Sequence, residues 1–517
     1  MVISKSEFMM FLKHPAWLWL KKYDKTKIPI PDEDLQARFD EGTLFEEYAE
    51  KLFLPAQAGP EAVKLGYKND GVFSGTKYYA LPELTQKEID GGTKVLMQGR
   101  LEVDLPAQAG NLTSIFDVLE KVGENIFDLY EIKSSTSVKP EHIPDLAFQT
   151  VVLEKAGLSI RNMYVLHVNN EYIKKGDIDV EEITKKTIVT EEVRELMNET
   201  LDNIGRAFDV LSKKEMPDIS PRYLKQGSME EWLEIFSLVK GDISRYSIYK
   251  LQGLTSKKAG LLEDLGIELM SDIPLDFDLT EKQLKQVTAV KSGEQEIDKD
   301  EIREFLSTFE LPLHFFDYET LSGVIPAFNG TRPYQQVPFQ YSLHIQKSPN
   351  GSLTHREYLH TENSNPVLPL LKQMQKDFEG KGSVVSWFKR FETDRNNEMA
   401  LMYPEFANFL HGINDRMVDL MIPFSKGWFV DKDFFGSASL KAVLPVLAPE
   451  LSYTELEVSH GGMAQRVWME TILGGRNSET KNEIMGDLRK YCTLDTYAMC
   501  VIYQYLTETC LPAGRII

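Results

Sequence analysis

The chain has 517 residues, 42% hydrophobic and 26% charged, which exceeds one ordinary core, suggests about three domains and excludes an intrinsically disordered protein. A formal net charge of −21 argues against a protein that coats nucleic acid, whose phosphate contacts leave a basic footprint, but leaves room for an acidic enzyme with a locally basic groove. The three cysteines, Cys492, Cys500 and Cys510, lack C-x-x-C spacing, so neither a disulfide framework nor a zinc site is expected and a reducing cytosol fits.

The N-terminal MMFLKHPAWLWL is broken by Lys13, His14 and Pro15, is too short to span a bilayer and lacks a signal peptide's cleavage pattern, so no membrane partner and a cytoplasmic protein are expected. Ser4 and Glu7 form an S-x-x-E box that starts a first helix, and Trp17 and Trp19 after Pro15 read as an aromatic lid on the core. A second helix, about 34–53, carries Phe39, Leu44, Phe45, Tyr48 and Leu52. Its Glu46, Glu47 and Glu50 are either a solvated face or a source of one carboxylate for a metal site.

From about 77 to 133 the pattern predicts strands: KYYAL, KVLMQGRLEV, SIFDVLEK and NIFDLYEIK. The last two flank a short loop around Val122, Gly123 and Glu124 and read as a hairpin. In the second of them Tyr130 and Ile132 point one way, and Glu131 and Lys133 the other. Counting outward from Glu124 sets Asp117 opposite Glu131, with Cβ atoms about 5 Å apart. The helix EHIPDLAFQTVVLEKAGL follows, ended by Gly157, with His142, Asp145 and Gln149 along one polar stripe, and then the strand NMYVLHVN.

Residues 181–308 are strongly helical, with lysine pairs at 185–186, 213–214 and 257–258. LTSKKAGLLEDLGIELMSDIP has the shape of two short helices joined through Gly266; the region is either a solvated helical linker or a grip on a phosphate backbone. A second α/β pattern opens with ELPLHFFDYET, where Asp317 and Glu319 share one strand face. VPFQYSLHI and SVVSWFKRF are further strand candidates. In the terminal helix Tyr491 and Asp495 stack at i and i+4, and Leu488, Leu494, Ala498, Val501 and Ile502 supply the buried side.

A lone D-x-E or E-x-K is usually surface charge. Here Asp117 stands in register with Glu131, both lie in apolar strands, and a polar helix stripe follows directly. Phosphodiester hydrolysis needs hard cations held by a few carboxylates, and a lysine beside them can orient the attacking water and stabilise transition-state charge.

On these residues the region 1–175 resembles a PD-(D/E)XK nuclease of the RecB-like class, the branch that includes the CRISPR-associated adaptation exonucleases. Asp117 matches the metal-binding acid, Glu131-Ile132-Lys133 the E-x-K element and Gln149 the glutamine of the next helix; EIKSSTSVKPEHIPDLAFQ is more specific than the bare motif. Many of that branch hold an iron–sulfur cluster on one cysteine near the N-terminus and three further on. Here His14 stands near the first position and SPRYLKQGSMEEW has none, so no cluster is expected. A helix histidine of many relatives is also missing, with Phe45 near its place and Glu46 as the substitute.

Residues from about 310 to 505 resemble a DEDD-type 3′–5′ exonuclease with the RNase H-like fold. Asp317 and Glu319 match its first motif, and Tyr491 with Asp495 the third, in the version that uses tyrosine to orient water. The second motif calls for an aspartate, yet SWFKRFE offers Glu392; Asp394 and Asp419 are rivals, with Asp419 matching a structural position between motifs two and three. With GTRPYQQVPFQYSLH and FGSASLKAVLP, the whole resembles an uncharacterised bacterial family that joins both nuclease types.

The expectation is therefore an α/β chain with a restriction-endonuclease-like domain over 1–180, a helical region over 181–308 and an RNase H-like domain over 309–517. It implies an Mg²⁺- or Mn²⁺-dependent exonuclease acting on DNA rather than RNA, with metal held by Asp117 and Glu131 in one site and by Asp317, Glu319 and Asp495 in the other. The competing expectation is a nucleic-acid-binding scaffold in which one site, the C-terminal one first, has decayed; Glu392 and the acidic charge support it.

Overall fold

Ser4 ends a strand and starts a helix: its hydroxyl accepts from the Glu7 amide while the Glu7 carboxylate accepts from the Ser4 amide, the reciprocal cap that S-x-x-E predicts. The computed structural model describes residues 1–54, 62–66, 75–106, 110–213, 215–241, 243–454, 456–477 and 479–511. The described residues divide into two compact units, one of residues 1–243, 255–260 and 324–334, the other of residues 244–254, 261–323 and 335–517.

In the first unit the elements run β1 (Val2–Ser4), α1 (Lys5–Lys13), α2 (Pro15–Tyr23), α3 (Glu33–Glu50), β2 (Ala62–Lys64), α4 (Gly75–Asp90), β3 (Val95–Leu105) and β4 (Gly110–Gly123). They continue with β5 (Ile126–Lys133), α5 (His142–Lys155), β6 (Ser159–Val168), α6 (Val180–Ile183), β7 (Thr184–Ile188), α7 (Thr190–Ser212) and α8 (Met229–Lys240). Among the described residues seven strands form one sheet in the order β2-β3-β4-β5-β6-β7, with β1 beside β4. β4 and β5 are antiparallel, whereas β5 and β6 are parallel and joined through α5, a crossover that lays this helix on the sheet.

Strand alternation sorts the core. Phe127 and Leu129 pack with Phe8 of α1 and Phe148 of α5, and Tyr130 and Ile132 pack on the other face with Phe45 and Ala49 of α3. Burying both faces explains why the β5 run is apolar except at its charged residues.

KYYAL, expected as a strand, lies inside α4. Among its described side chains Leu81, Thr85 and Ile89 are buried, and this four-residue recurrence outweighs the strand preference of the two tyrosines. The region 181–308 is shared out: β7 extends the first sheet, and α7 buries Val193, Ile204, Ala207, Phe208 and Leu211 in its core. Of the lysine pairs, Lys214 lies outside the described residues.

The connection after residue 323 also enters the first unit, where Val324 is buried with Phe45 and Tyr130. The Thr331 carbonyl accepts from the Lys174 amide, and the Tyr334 hydroxyl donates to the Ser134 carbonyl.

After α9 (Ser256–Asp264), which the division crosses, the second unit has α10 (Glu281–Ser292), β8 (Glu296–Ile297), α11 (Lys299–Leu306), β9 (Leu313–Leu321), β10 (Val337–Gln346), β11 (Leu353–Leu359) and α12 (Val367–Asp377). β12 (Val384–Ser386), α13 (Lys389–Met402), α14 (Ala407–Asn414), β13 (Met417–Asp419), α15 (Ile422–Ser425) and β14 (Phe429–Val430) follow. The unit closes with α16 (Leu440–Leu447), α17 (Gly461–Trp468) and α18 (Lys481–Cys510). Its main sheet has the order β11-β10-β9-β12-β13, antiparallel across β11, β10 and β9 and parallel from β9 through β12 to β13.

SVVSWFKRF is a strand only over Val384–Ser386: Phe388 takes φ +71° and α13 begins at Lys389. A left-handed residue breaks the extended run and turns the chain into the helix. Among the described residues no helix is long and apolar enough to cross a membrane.

Candidate active sites

In the first unit Glu131 and Lys133 point to the side of α1 and α5. The ladder pair Val118–Tyr130 sets Asp117 opposite Glu131, as counting from the hairpin predicts. An irregularity between Lys121 and Gly123 preserves that register although the turn itself is Glu124–Asn125. Beyond Tyr130 the ladder stops, and the Asp117 carboxylate accepts from the Ile132 amide at 2.7 Å.

Glu131 is 2% exposed and fully engaged. Its Oε1 lies 2.6 Å from Lys133 Nζ and 2.9 Å from Lys5 Nζ, and Gln149 donates to Oε2 at 2.6 Å. Asp145 closes the network, 2.8 Å from Lys133, 3.4 Å from Lys5 and 3.1 Å from Gln149. Gln149 Oε1 is buried without a partner.

Burial drives the Asp117 carboxyl well above its usual range, Glu131 adds repulsion, and Lys5 pulls it back. Burial acts on Glu131 in the same direction, but the Lys133 and Lys5 ammonium groups outweigh it and hold Glu131 well below the carboxylate range. Both lysines are raised: burial opposes their charge, and Asp145 and Glu131 more than compensate. His142 is lowered to about 4 by burial and by Lys133.

Glu46 of α3 adds negative charge near Asp117. Glu46 accepts from Gln98, which also donates to Glu50 at 3.3 Å. Gln98 holds φ +56° in β3 opposite Asp117, and Gly66 backs it so closely that a Cβ there would lie 2.5 Å from Gln98 Cβ. Exposed Glu47 stays on the solvated face.

The structure thus brings together Asp117, Glu131, Lys133 and Gln149. Sequence reasoning missed Lys5, which has no spacing relation to β5, and left Asp145 out of the site although its stripe with Gln149 was visible. His14 lies elsewhere: its Nδ1 accepts from the Ala16 amide, its Nε2 is 3.0 Å from the Ser220 carbonyl, and its ring stacks 3.7 Å from Trp232. The N-terminal helices and the segment around SPRYLKQGSMEEW meet there through one imidazole with both nitrogens engaged. The three cysteines lie in the other unit, and this donor set does not fit an iron–sulfur cluster.

In the second unit β9 presents Asp317 and Glu319 on one face, opposite Ser342 and Gln340 of β10. α18 packs on these strands and brings in Tyr491, Cys492 and Asp495, all buried. Tyr453 donates to Asp495 Oδ1 at 2.5 Å, and its ring lies 6.0 Å from that of Tyr491.

Glu392, in the first turn of α13, is 1% exposed, and its Oε2 has no hydrogen-bond partner. Its rivals do other work. Asp394 pairs with Arg390 at 3.7 Å on the surface. Asp419 accepts from the Phe388 and Met421 amides at 3.1 and 3.0 Å, which ties the end of β13 to the entry of α13.

The acidic groups repel one another. Burial, then Asp495, drives Asp317 far up; burial, then Asp317 and Asp495, does the same to Glu319, against which Lys441 pulls. Glu392 is raised by burial and then Asp317. Burial lifts Asp495 to about 6, with the Tyr453 and Tyr491 hydroxyls holding it down.

Three buried carboxylates, Glu319, Glu392 and Asp495, and the half-buried Asp317, with one orphaned oxygen among them, form a hard-oxygen donor set that fits Mg²⁺ or Mn²⁺. Cys492 joins them: its Sγ and one oxygen each of Asp317 and Glu319 lie within 4.8 Å of one another. Sequence reasoning set this thiol aside for want of C-x-x-C spacing; its position three residues before Asp495 was the available signal.

Residues 314–439 match a family model described as a domain of unknown function, DUF2779, which spans Asp317, Glu319 and Glu392 but stops before Tyr491. The chain is 26% identical to "Uncharacterized protein MG366" of Mycoplasma genitalium over 214 residues, 38% of this chain and 32% of that protein. To "Uncharacterized protein UU173" of Ureaplasma parvum it is 24% identical over 322 residues, 56% of this chain and 44% of that one. The chain therefore spans less than half the length of these curated relatives.

Proposed function

We propose that the protein is a metal-dependent nuclease with one active centre in each unit, the first of the PD-(D/E)XK kind and the second an RNase H-like DEDD exonuclease, acting on DNA. The observation that carries this reading is that Asp317, Glu319, Glu392 and Asp495, from three separate elements, lie close enough to repel one another in a largely buried cluster. Four such carboxylates stay ionised together only beside compensating positive charge, and divalent cations supply it. The β11-β10-β9-β12-β13 order, with its first three strands antiparallel, supports the RNase H-like assignment.

In the second unit these carboxylates would hold Mg²⁺ or Mn²⁺, which would supply Lewis acidity toward a water and positive charge beside the scissile phosphate. Tyr491, one helical turn before Asp495 on α18, orients the attacking water, and burial keeps bulk water from competing.

In the first unit Asp117 and Glu131 form the metal-binding pair. Lys133 orients water and stabilises charge on the phosphate, and Gln149 fixes the Glu131 carboxylate. One observation favours a second reading at this centre: Lys5, Lys133 and Gln149 already engage both Glu131 oxygens, as in a closed structural ion-pair network.

Fluorescent single- and double-stranded DNA, blocked at the 3′ end, at the 5′ end or at neither, incubated with Mg²⁺ or Mn²⁺ tests both centres. Wild type should degrade it, and Asp117→Ala and Asp317→Ala should each remove part of the activity. No degradation by wild type, or full activity in the double variant, overturns the reading. An Asp117→Ala protein as active as wild type identifies the first centre as structural.

A further inference from the structure

Resting on the second centre as a metal site, we propose that Cys492 is a ligand there and gives it a preference for Zn²⁺ over Mg²⁺.

The thiol is wholly buried, yet two carboxylates stand beside it. Its Sγ lies within 4.8 Å of carboxylate oxygens of both Asp317 and Glu319. In a tetrahedral zinc site with one thiolate and oxygen donors, ligand atoms stand about 3.5 Å apart, so small side-chain rotations close the set.

Two further features separate this thiol from an inert core cysteine. Glu392 Oε2 is buried and has no hydrogen-bond partner, and Asp317 of the same cluster is the charged group that acts most strongly on this carboxyl. Cys500, on the same helix, shows the ordinary alternative: its Sγ donates to the Thr496 carbonyl at 3.3 Å.

Coordination breaks the S–H bond, forms a metal–sulfur bond and sends the proton to solvent, with no change of oxidation state. A divalent cation's charge offsets the cost of a buried thiolate, so ligation and loss of the proton occur together. Thiolate ligands select Zn²⁺ and Co²⁺ against Mg²⁺, which keeps oxygen ligands.

The test strips metal from the full chain and titrates Co²⁺ as a spectroscopic probe. Wild type should show an intense near-ultraviolet sulfur-to-cobalt charge-transfer band. Cys492→Ser should lose that band and keep the weaker visible cobalt absorption. Zn²⁺ affinity in this variant should fall at least about tenfold, with Mg²⁺ affinity within about twofold of wild type.

The Cys500→Ser/Cys510→Ser double variant, which keeps Cys492 as its single thiol, must retain the band; this holds the test open should Cys492→Ser fail to fold. Cobalt bound without the band in wild type, loss of the band in the double variant, or its persistence in folded Cys492→Ser overturns the role of Cys492 and leaves the carboxylate site standing. Cobalt binding identical in wild type and Asp317→Asn overturns the metal site itself, and this inference with it.

Discussion

The Asp117 carboxylate accepts from the Ile132 amide at 2.7 Å, where the β4–β5 ladder ends. One side chain thereby replaces the next ladder bond and fixes its own distance to Glu131 and Lys133 on the neighbouring strand. The same carboxylate is both a structural acceptor and the candidate metal ligand, so a substitution there bears on stability and on the proposed activity together.

Asp117→Ala should therefore cost more than activity. It leaves the Ile132 amide without its acceptor, a loss of about 1–3 kcal/mol, whereas Asp117→Asn keeps an oxygen there and should be milder. Urea unfolding of both variants checks the order; equal stability of Ala and wild type would show that the bond contributes nothing.

Lys5 shares Glu131 with Lys133, and removing it leaves a buried carboxylate with one ammonium partner. Lys5→Ala should destabilise the first unit by up to about 3 kcal/mol, and Lys5→Met by less, because it keeps the packed stem. The folded pKa of Glu131 lies below its ordinary 4.5, so its stabilisation is complete above that pH and is lost as pH falls through the folded value. The difference between wild type and Lys5→Ala should accordingly be level from pH 7 to 5 and shrink below; a difference that grows on acidification contradicts the network.

His14 gives a second pH signature of the same sign. Burial lowers its pKa from 6.5 to about 4, so between these values the unfolded chain binds a proton that the folded one refuses. Stability is full above pH 6.5 and falls as pH drops toward 4, by on the order of 3 kcal/mol. His14→Asn keeps the cap on Ala16 and loses the titration, so its stability deficit at pH 7 should narrow by that amount at pH 4. Fluorescence of Trp232, on which the ring stacks, reports the transition.

At the second centre Glu392→Gln should act in opposite directions with and without metal. In chelator it removes a buried charge repelled by Asp317 and should stabilise the protein by about 1–2 kcal/mol. Wild type should gain about 2.7 kcal/mol from Mn²⁺ at a hundred times its Kd, and the variant should gain much less. Equal Mn²⁺ stabilisation of the two proteins would remove Glu392 from the site.

The sites were legible wherever geometry is local. A strand's two-residue period places Glu131 beside Lys133 and Asp317 beside Glu319, a short hairpin carries the register across to Asp117, and a helix's period stacks Tyr491 over Asp495. KYYAL misled because tyrosines suit strands, whereas the burial of Leu81, Thr85 and Ile89 in α4 depends on the surface beneath the helix.

The sequence by itself determined which carboxylates share a face, because those relations span a few bonds of regular backbone. Only the tertiary structure decided what stands opposite them. Lys5 reaches Glu131 across 126 positions, Glu392 enters by way of a left-handed Phe388, and Cys492 turns from a core thiol into a neighbour of two carboxylates only when α18 packs on β9. Such partners are chosen by packing between elements, and packing energy is shared among too many distant residues to be written in any one stretch of the chain.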